Sequence, residues 1–411
     1  MKRFFILIFL CIPFRVHADQ KFIYPVGHSL FGGRLKIYLI YQKNENNIEL
    51  FVWDPELKTI NKSLSSRFNP GNVTMLPDDS GFSFIDDGIV WVKSFMKRSP
   101  SPLSPTDPIY AHELLHWIDG TSFYTSARQN NYFTVVQCDH DGEVDIVVAL
   151  PEVDCLYPQK IDRQLFYIER LPIRQGDRES YNYSIMKTFY PKIIHSHFRN
   201  MALSTEDFEQ EVKKIIKHDF DIDKSIAQKI YSVLPLGQKP AMFLSMISEK
   251  EGFFIEYPAK IKKTDREISC IYHHIIDQDG IWQQSPLFTF GLPTSLILNF
   301  FETNSMGPRL YESILRLVPV YSENHNGIFY TDFTAQSVLG LFFFDLSTHQ
   351  KKRISPINTQ KNFFSPIFVE GKLLYGGTID TNRFADIKGT EKVPYMWEDD
   401  NSKVYLEMPS Y

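Results

Sequence analysis

Cysteine is scarce. The 411 residues hold four, and one of these, Cys11, lies in an N-terminal apolar run. The remaining three, Cys138, Cys155 and Cys270, are too few for a disulfide scaffold, and no C-x-x-C pair offers the usual spacing for zinc. Positive charge is not in excess either. Lys and Arg total 44 against 49 Asp and Glu, a formal net charge of −5, so there is no basic field to draw nucleic acid. Beyond the N-terminus no apolar run approaches the ~20 residues that span a bilayer. A G-x-S-x-G elbow and a P-loop are also missing, which removes serine-hydrolase and nucleotide-phosphate chemistry of those kinds.

The first eighteen residues have the layout of a signal peptide. Lys2 and Arg3 precede the apolar run Phe4 to Phe14, and Val16-His17-Ala18 supplies a small-residue cleavage pattern. The pattern predicts an exported protein, periplasmic or extracellular, whose mature chain runs from 19 to 411 without a transmembrane anchor. In an oxidising compartment Cys138 and Cys155 are the candidate disulfide pair, with Cys270 left over.

Aromatic residues are plentiful, 15% of the chain with 34 Phe and 21 Tyr, which favours pleated, half-buried surface over helix. They fall in short apolar strands parted by polar turns. One example is Met75 to Phe84, built around Asp78-Asp79-Ser80-Gly81. Others are His116 to Ser126, around Asp119-Gly120, and Pro158 to Tyr167, around Asp162. Asp-Gly turns of this kind are strong hairpin signals. Ile37, Phe82, Phe123, Leu165, Phe253, Ile328 and Leu373 mark one recurring event. Four of the six steps between them are about 41–45 residues, the size of one four-stranded propeller blade. The fold class is all-β, a propeller of about seven blades, with six or eight possible. The segment Lys21 to Val26 is expected to close the ring as a missing outer strand.

One stretch has a different period. Ser204 to Asp207 forms a capping arrangement, and Phe208, Val212, Ile215 and Ile216 follow at helical spacing, as do Ile226, Ile230, Val233 and Leu234. A small α-helical insertion is predicted over 192–236, in or after the fourth blade.

The Trp117-Ile118-Asp119-Gly120 turn and its relatives resemble the WD40-like repeats of TolB and of the propeller domain of prolyl oligopeptidases. The resemblance covers most of the mature chain in period and turn. It implies a TolB-like β-propeller with a habit of binding other proteins, and it carries over no catalytic residue.

His112-Glu113-Leu114-Leu115-His116 matches H-E-x-x-H. On a helix the two histidines would share a face and ligate zinc, with Glu113 as general base. His140, Glu143 or Asp145 would be the third ligand. On a strand, with side-chain period two, Glu113 would face away from both histidines. The strand is expected, because His116 directly precedes the Trp117 turn. His195 and His197, and the pair His273-His274, lack an evident carboxylate partner in the sequence. Asp139, Asp141, Glu143 and Asp145 around Gly142 read as a polar hairpin tip, with a calcium loop as the alternative.

These features predict an exported propeller that binds a protein or peptide at one face of its ring, with no cofactor, no nucleic acid and no assigned catalysis. A zinc-dependent hydrolase through His112, Glu113 and His116 is the alternative. A carbohydrate-active propeller is a third class, with no nominated acids.

Overall fold

The computed structural model describes residues 21–407 apart from 45–46, 58, 66, 87–88, 104–114, 130–131, 140–143, 149–151, 163, 176–177, 190–231, 263, 295–315, 336–337, 356–361, 370–371, 380–391 and 398–402. Its strands fall into four-stranded antiparallel meanders. Blade 1 holds β1 (Lys21–Ser29), β2 (Lys36–Asn44), β3 (Asn47–Asp54) and β4 (Thr59–Lys62). Blade 2 holds β5 (Gly71–Met75), β6 (Gly81–Asp86), β7 (Ile89–Ser94) and β8 (Ser101–Pro102). Blade 3 holds β9 (His116–Trp117), β10 (Ser122–Gln129), β11 (Tyr132–Asp139) and β12 (Val144–Val148). Blade 4 holds β13 (Asp154–Ile161), β14 (Gln164–Gln175), β15 (Arg178–Phe189) and β16 (Ser232–Gly237). Blade 5 holds β17 (Ala241–Ser248), β18 (Glu251–Glu256), β19 (Glu267–Gln278) and β20 (Ile281–Pro293). Blade 6 holds β21 (Val320–Ser322), β22 (Gly327–Phe333), β23 (Leu339–Asp345) and β24 (Lys351–Arg353). Blade 7 holds β25 (Phe363–Val369), β26 (Lys372–Ile379), β27 (Lys392–Trp397) and β28 (Lys403–Glu407).

Counted as separate sheets, the blades number six, because one sheet has eight strands and five have four. The eight-stranded sheet fuses the first and last meanders of the chain, so the four-stranded units number seven. All seven repeat markers lie on the second strand of their unit and are buried. The 41–45-residue period is therefore the spacing between successive second strands.

First strands lie against one another around the ring: β13 touches β9 and β17, and β1 touches β5 and β25. This places them innermost. Four of them share a device the sequence did not disclose. Asn72, Tyr157, Phe243 and Ser365 have φ of 48°, 55°, 53° and 56°, and the strand register shifts at each. These are β-bulges, which kink the strand and re-aim its side chains. A left-handed Tyr or Phe costs about 1–3 kcal/mol, so the surrounding packing must impose it.

Three residues before three of those bulges stands an acceptor that clasps the preceding blade. Asn69 Oδ1 accepts the Ile48 N–H, Asp154 Oδ1 the Phe133 N–H, and Asn362 Oδ1 the Leu339 N–H, each at 2.9 Å. Each captured N–H lies at the start of the third strand of the previous blade. Aromatic rings fill the seams: Tyr38 on Phe82, Phe288 on Tyr330, Phe329 on Phe368 and Phe22 on Phe364, at 4.3–5.4 Å between centroids. Such pairs add about 0.5–1.5 kcal/mol beyond burial, which accounts for the aromatic excess.

Closure differs from the expectation. Lys21 to Val26 belongs to β1, the innermost strand of blade 1, and is not an outer strand of the last blade. The ring still closes through it. Lys21, Phe22 and Ile23 pair with Ile379, Thr378 and Gly377 of β26. Gly377 also pairs with Phe363 of β25, so β1 occupies the flank that β27 shares further back along β26. Residues 1–18 and most of the 192–236 segment lie outside the described residues. Residues 232–236 are in β16, a strand rather than the end of a helix, because they pair with β15. The segment thus departs from blade 4 between its third and fourth strands.

Candidate functional site

Turns after first and third strands share one end of the ring, and turns after second and fourth strands share the other. The two ends differ in chemistry.

His116 stands at the start of blade 3. Of the H-E-x-x-H set, His112 and Glu113 lie outside the described residues. His116 is in β9, paired with Tyr124, and its Nε2 donates to the Lys160 carbonyl of blade 4 at 3.2 Å. Burial lowers its pKa, so the neutral ring is favoured. A strand, with the imidazole engaged across a blade seam, agrees with the non-helical expectation for this residue. Among the described residues no group of three or more His, Cys, Asp and Glu is gathered to hold a metal. Of the other candidate ligands, Asp139 ends β11 and Asp145 lies in β12, while His140, Asp141, Gly142 and Glu143 are outside the described residues.

Trp117 is buried and packs on Phe123 at 4.9 Å. The following turn is organised by Asp119, whose Oδ1 accepts the N–H of Thr121 at 2.7 Å and of Ser122 at 2.9 Å. Burial would raise its pKa, but the Thr121 and Ser122 donors outweigh it and hold the carboxyl below the ordinary range. Gly120 is required by a close approach: a β-carbon there would run into the Asp78 carboxylate of the neighbouring turn. Asp54, Asp78, Asp277 and Asp345 likewise accept turn N–H groups at this end. These carboxylates at this end are therefore committed to turn capping.

The same end carries four of the five exposed large apolar side chains among the described residues. These are Leu30, Leu57, Met96 and Ile281, with Met96 84% exposed. Leu30 follows Ser29, whose hydroxyl lies 3.4 Å from the Tyr38 hydroxyl, and Met96 follows Phe95, which stacks on the Tyr38 ring at 5.7 Å. Leu30 and Met96 are thus the sequence neighbours of two residues that touch Tyr38, one on blade 1 and one on blade 2. Nothing in the sequence marks these residues, because isolated apolar residues in turns acquire meaning only once the turns are known to share an end.

At the opposite end a buried polar chain ties three blades. Asp154 takes the Phe133 N–H through Oδ1 and Arg170 Nε through Oδ2 at 2.8 Å. Tyr183, which also hydrogen-bonds Arg170, meets the Tyr257 hydroxyl of blade 5 at 2.9 Å. The pair His273-His274 does have carboxylate partners, contrary to expectation: Glu256 lies 2.9 Å from His273 and Glu251 2.8 Å from His274. Each imidazole stacks on a Phe of β18, Phe254 and Phe253. His195 and His197 lie outside the described residues. Cys138 and Cys155 sit in different apolar clusters, with Phe123 and Val144 and with Leu165 and Tyr167 respectively. Among the described residues no helix is long and apolar enough to cross a membrane.

No protein-family model matches the chain, and no curated protein matches its sequence. Solved structures resemble it in fold. The β-propeller domain of the trilobed protease from Pyrococcus furiosus is similar at TM-score 0.49 and 10% identity, over 95% of this chain and 99% of that one. A puromycin-hydrolyzing peptidase from Mycobacterium tuberculosis is similar at TM-score 0.49 and 9% identity, over 87% of this chain, which spans only 52% of that one. TolB from Acinetobacter baumannii is similar at TM-score 0.40 and 9% identity, over 81% of this chain and 63% of that one. The expectation of a β-propeller is met by the arrangement of the strands in antiparallel meanders.

Proposed function

We propose that the chain is an exported β-propeller that binds a protein or peptide at the end of the ring formed by the turns after first and third strands. The observation that carries this is that four large apolar side chains, Leu30, Leu57, Met96 and Ile281, are exposed at that end, against Leu171 at the other, among the described residues. Exposed apolar side chains on a rigid rim desolvate a partner at little cost in order, and loops on a fixed scaffold are where binding concentrates. Turn carboxylates already engaged by backbone N–H groups frame the patch as a polar rim. Export rests on the basic and apolar N-terminal pattern ending at Ala18.

The test places a photo-crosslinking residue at Leu30, at Met96 and, as a control, at Leu171 in cells that make the protein. A discrete adduct from Leu30 and Met96, abolished by Glu at the partner position, is the expected result. Adducts from Leu171 alone would overturn the assignment of the end. Fractionation, with the mature N-terminus read at Asp19, tests export separately.

A further inference from the structure

The geometry points to a binding site for a neutral, polyhydroxylated ligand of the carbohydrate class, on the outer side of the seam between blades 5 and 6 and towards the end opposite the apolar patch. It goes beyond the peptide-binding reading and does not depend on it. Three strands meet there. Gly291 lies near the end of β20, the outermost strand of blade 5, Glu267 opens β19 beside it, and Asp332 and Phe333 end β22 of blade 6. The Gly291 N–H points out of its own ladder and donates to Asp332 Oδ1 at 2.7 Å. Asp332 Oδ1 also accepts the Phe333 N–H at 2.8 Å. Glu267 Oε2 and Asp332 Oδ1 each lie 3.4 Å from the point that a Gly291 β-carbon would occupy, and the Phe333 ring lies 2.9 Å from it. Two carboxyl groups from adjacent blades thus face one glycine.

Two carboxylates alone would be a solvated rim. What sets these apart is hydrogen-bonding capacity that the protein leaves unmet. Asp332 Oδ1 is committed to two backbone N–H groups, but among the described residues Oδ2 accepts none, and Glu267 makes no hydrogen bond or ion pair. Tyr330, two residues before Asp332 on the same face of β22, is fully buried, and its hydroxyl has no partner among the described residues. Burial first and then the Asp332 charge raise the pKa of that hydroxyl, so it lies within reach of the carboxylate. A buried hydroxyl without a partner is costly and calls for an explanation. Lys351 completes the set. Its ammonium donates to the Thr289 carbonyl at 2.8 Å, lies 5.8 Å from the centre of the Tyr330 ring and acts on the Asp332 carboxyl. These donors and acceptors select the ligand. A carboxylate only accepts, an ammonium only donates and a phenol does both, so hydroxyl groups, which do both, serve all three. An anion would meet two carboxylates, and a cation would meet Lys351. Burial also holds the Asp332 pKa above the ordinary carboxyl value, which a site built for a cation would not do. The half-buried Phe333 ring pairs with no other aromatic ring among the described residues and offers an apolar face to the carbon skeleton.

Labelled full-length protein is applied to an array of neutral glycans, with a penta-arginine peptide as the cationic comparison. The glycan that binds best is then titrated by calorimetry into wild type, Glu267→Gln, Tyr330→Phe and, as a control at the other end, Glu56→Gln. Binding of at least one neutral glycan is expected. Glu267→Gln, an exposed position that leaves the fold intact, should weaken it about tenfold, as loss of a hydrogen bond to a charged acceptor does. The Glu56→Gln control should bind as wild type does. Tyr330→Phe should weaken binding and yet melt no lower than wild type, because the hydroxyl it removes has no protein partner to lose. Absence of any bound glycan, or a penta-arginine complex in its place, overturns the proposal. So does undiminished affinity in both Glu267→Gln and Tyr330→Phe, equal weakening by Glu56→Gln, or a Tyr330→Phe protein that melts well below wild type.

Discussion

The Trp117 indole N–H donates to Ser83 Oγ at 2.9 Å, so a side chain that opens blade 3 is fastened to the second strand of blade 2. The indole lies on Phe123 of its own blade at the same time. One residue therefore carries both packing within a blade and registration between blades. Trp117→Ala is expected to cost about 3–5 kcal/mol through the cavity. Trp117→Phe and Ser83→Ala lose chiefly the hydrogen bond, about 1 kcal/mol each. Urea titration checks the order. An alanine variant no less stable than the phenylalanine one would show that the seam does not rely on the indole.

Asp154 serves two masters, the Phe133 N–H and the Arg170 guanidinium. Asp154→Ala leaves that guanidinium buried without its carboxylate and should cost about 3–5 kcal/mol. Asp154→Asn keeps the acceptor for Phe133 and should cost less. The clasps at Asn69 and Asn362 lack a buried cation, so their alanine variants are expected to lose about 1 kcal/mol. Equal losses for Asp154→Ala and Asn69→Ala would mean that Arg170 contributes nothing.

Burial favours neutral His116 in the fold, so its folded pKa lies below the unfolded value of about 6.5. The sign follows: this stability is present above pH 6.5 and is lost as pH falls through the folded pKa, because the unfolded chain takes up the proton first. His116→Gln keeps a donor for Lys160 and removes the titration. Denaturant unfolding at neutral and mildly acidic pH should show a smaller acid loss in the variant, by up to about 1.4 kcal/mol per pH unit. Identical pH dependence in both proteins would place the acid sensitivity elsewhere, with His273, also held neutral by burial, the next candidate.

Gly376 lies where β1 crosses β26, and a β-carbon there would meet the Ile23 carbonyl and the Tyr24 backbone. Neither can withdraw without breaking the closing pairs. Gly376→Ala is expected to cost about 1–3 kcal/mol or more from overpacking and to expose residues near Lys21 to protease before the remainder unfolds. Gly280, in an exposed turn at φ 85°, is the control, where alanine strains the backbone but meets nothing within 4 Å. Protease-resistant Gly376→Ala protein would show that closure does not pass through this crossing.

The second strands were legible because each buries a large apolar residue, four of the six steps between those residues fall at 41–45, and several follow a turn with Asp or Gly. Leu165 and Leu373 kept the step even where the letters of the turn were lost. The clasps were not legible. Asn69, Asp154 and Asn362, two in connectors and one opening β13, act on backbone N–H groups 21 to 23 residues earlier, so no local pattern marks them. The same limit hid the carboxylates of His273 and His274. Glu256 and Glu251 lie across a ladder, and only the register Phe254 to His273 brings them within reach.

Ser365 Oγ donates to the Pro25 carbonyl at 3.1 Å across 340 residues of chain. The strands that seal the ring, β1 and β26, are thus made some 350 residues apart. At about 5–20 residues per second, β1 waits roughly 20–70 s for β26 to be synthesised. Through that interval its open flank presents unpaired backbone groups that any extended chain can meet. Contacts of such long sequence separation also form slowly. Yield on refolding should therefore fall with protein concentration well before equilibrium stability changes, and a holdase that covers residues 21–29 would raise it without altering the finished ring.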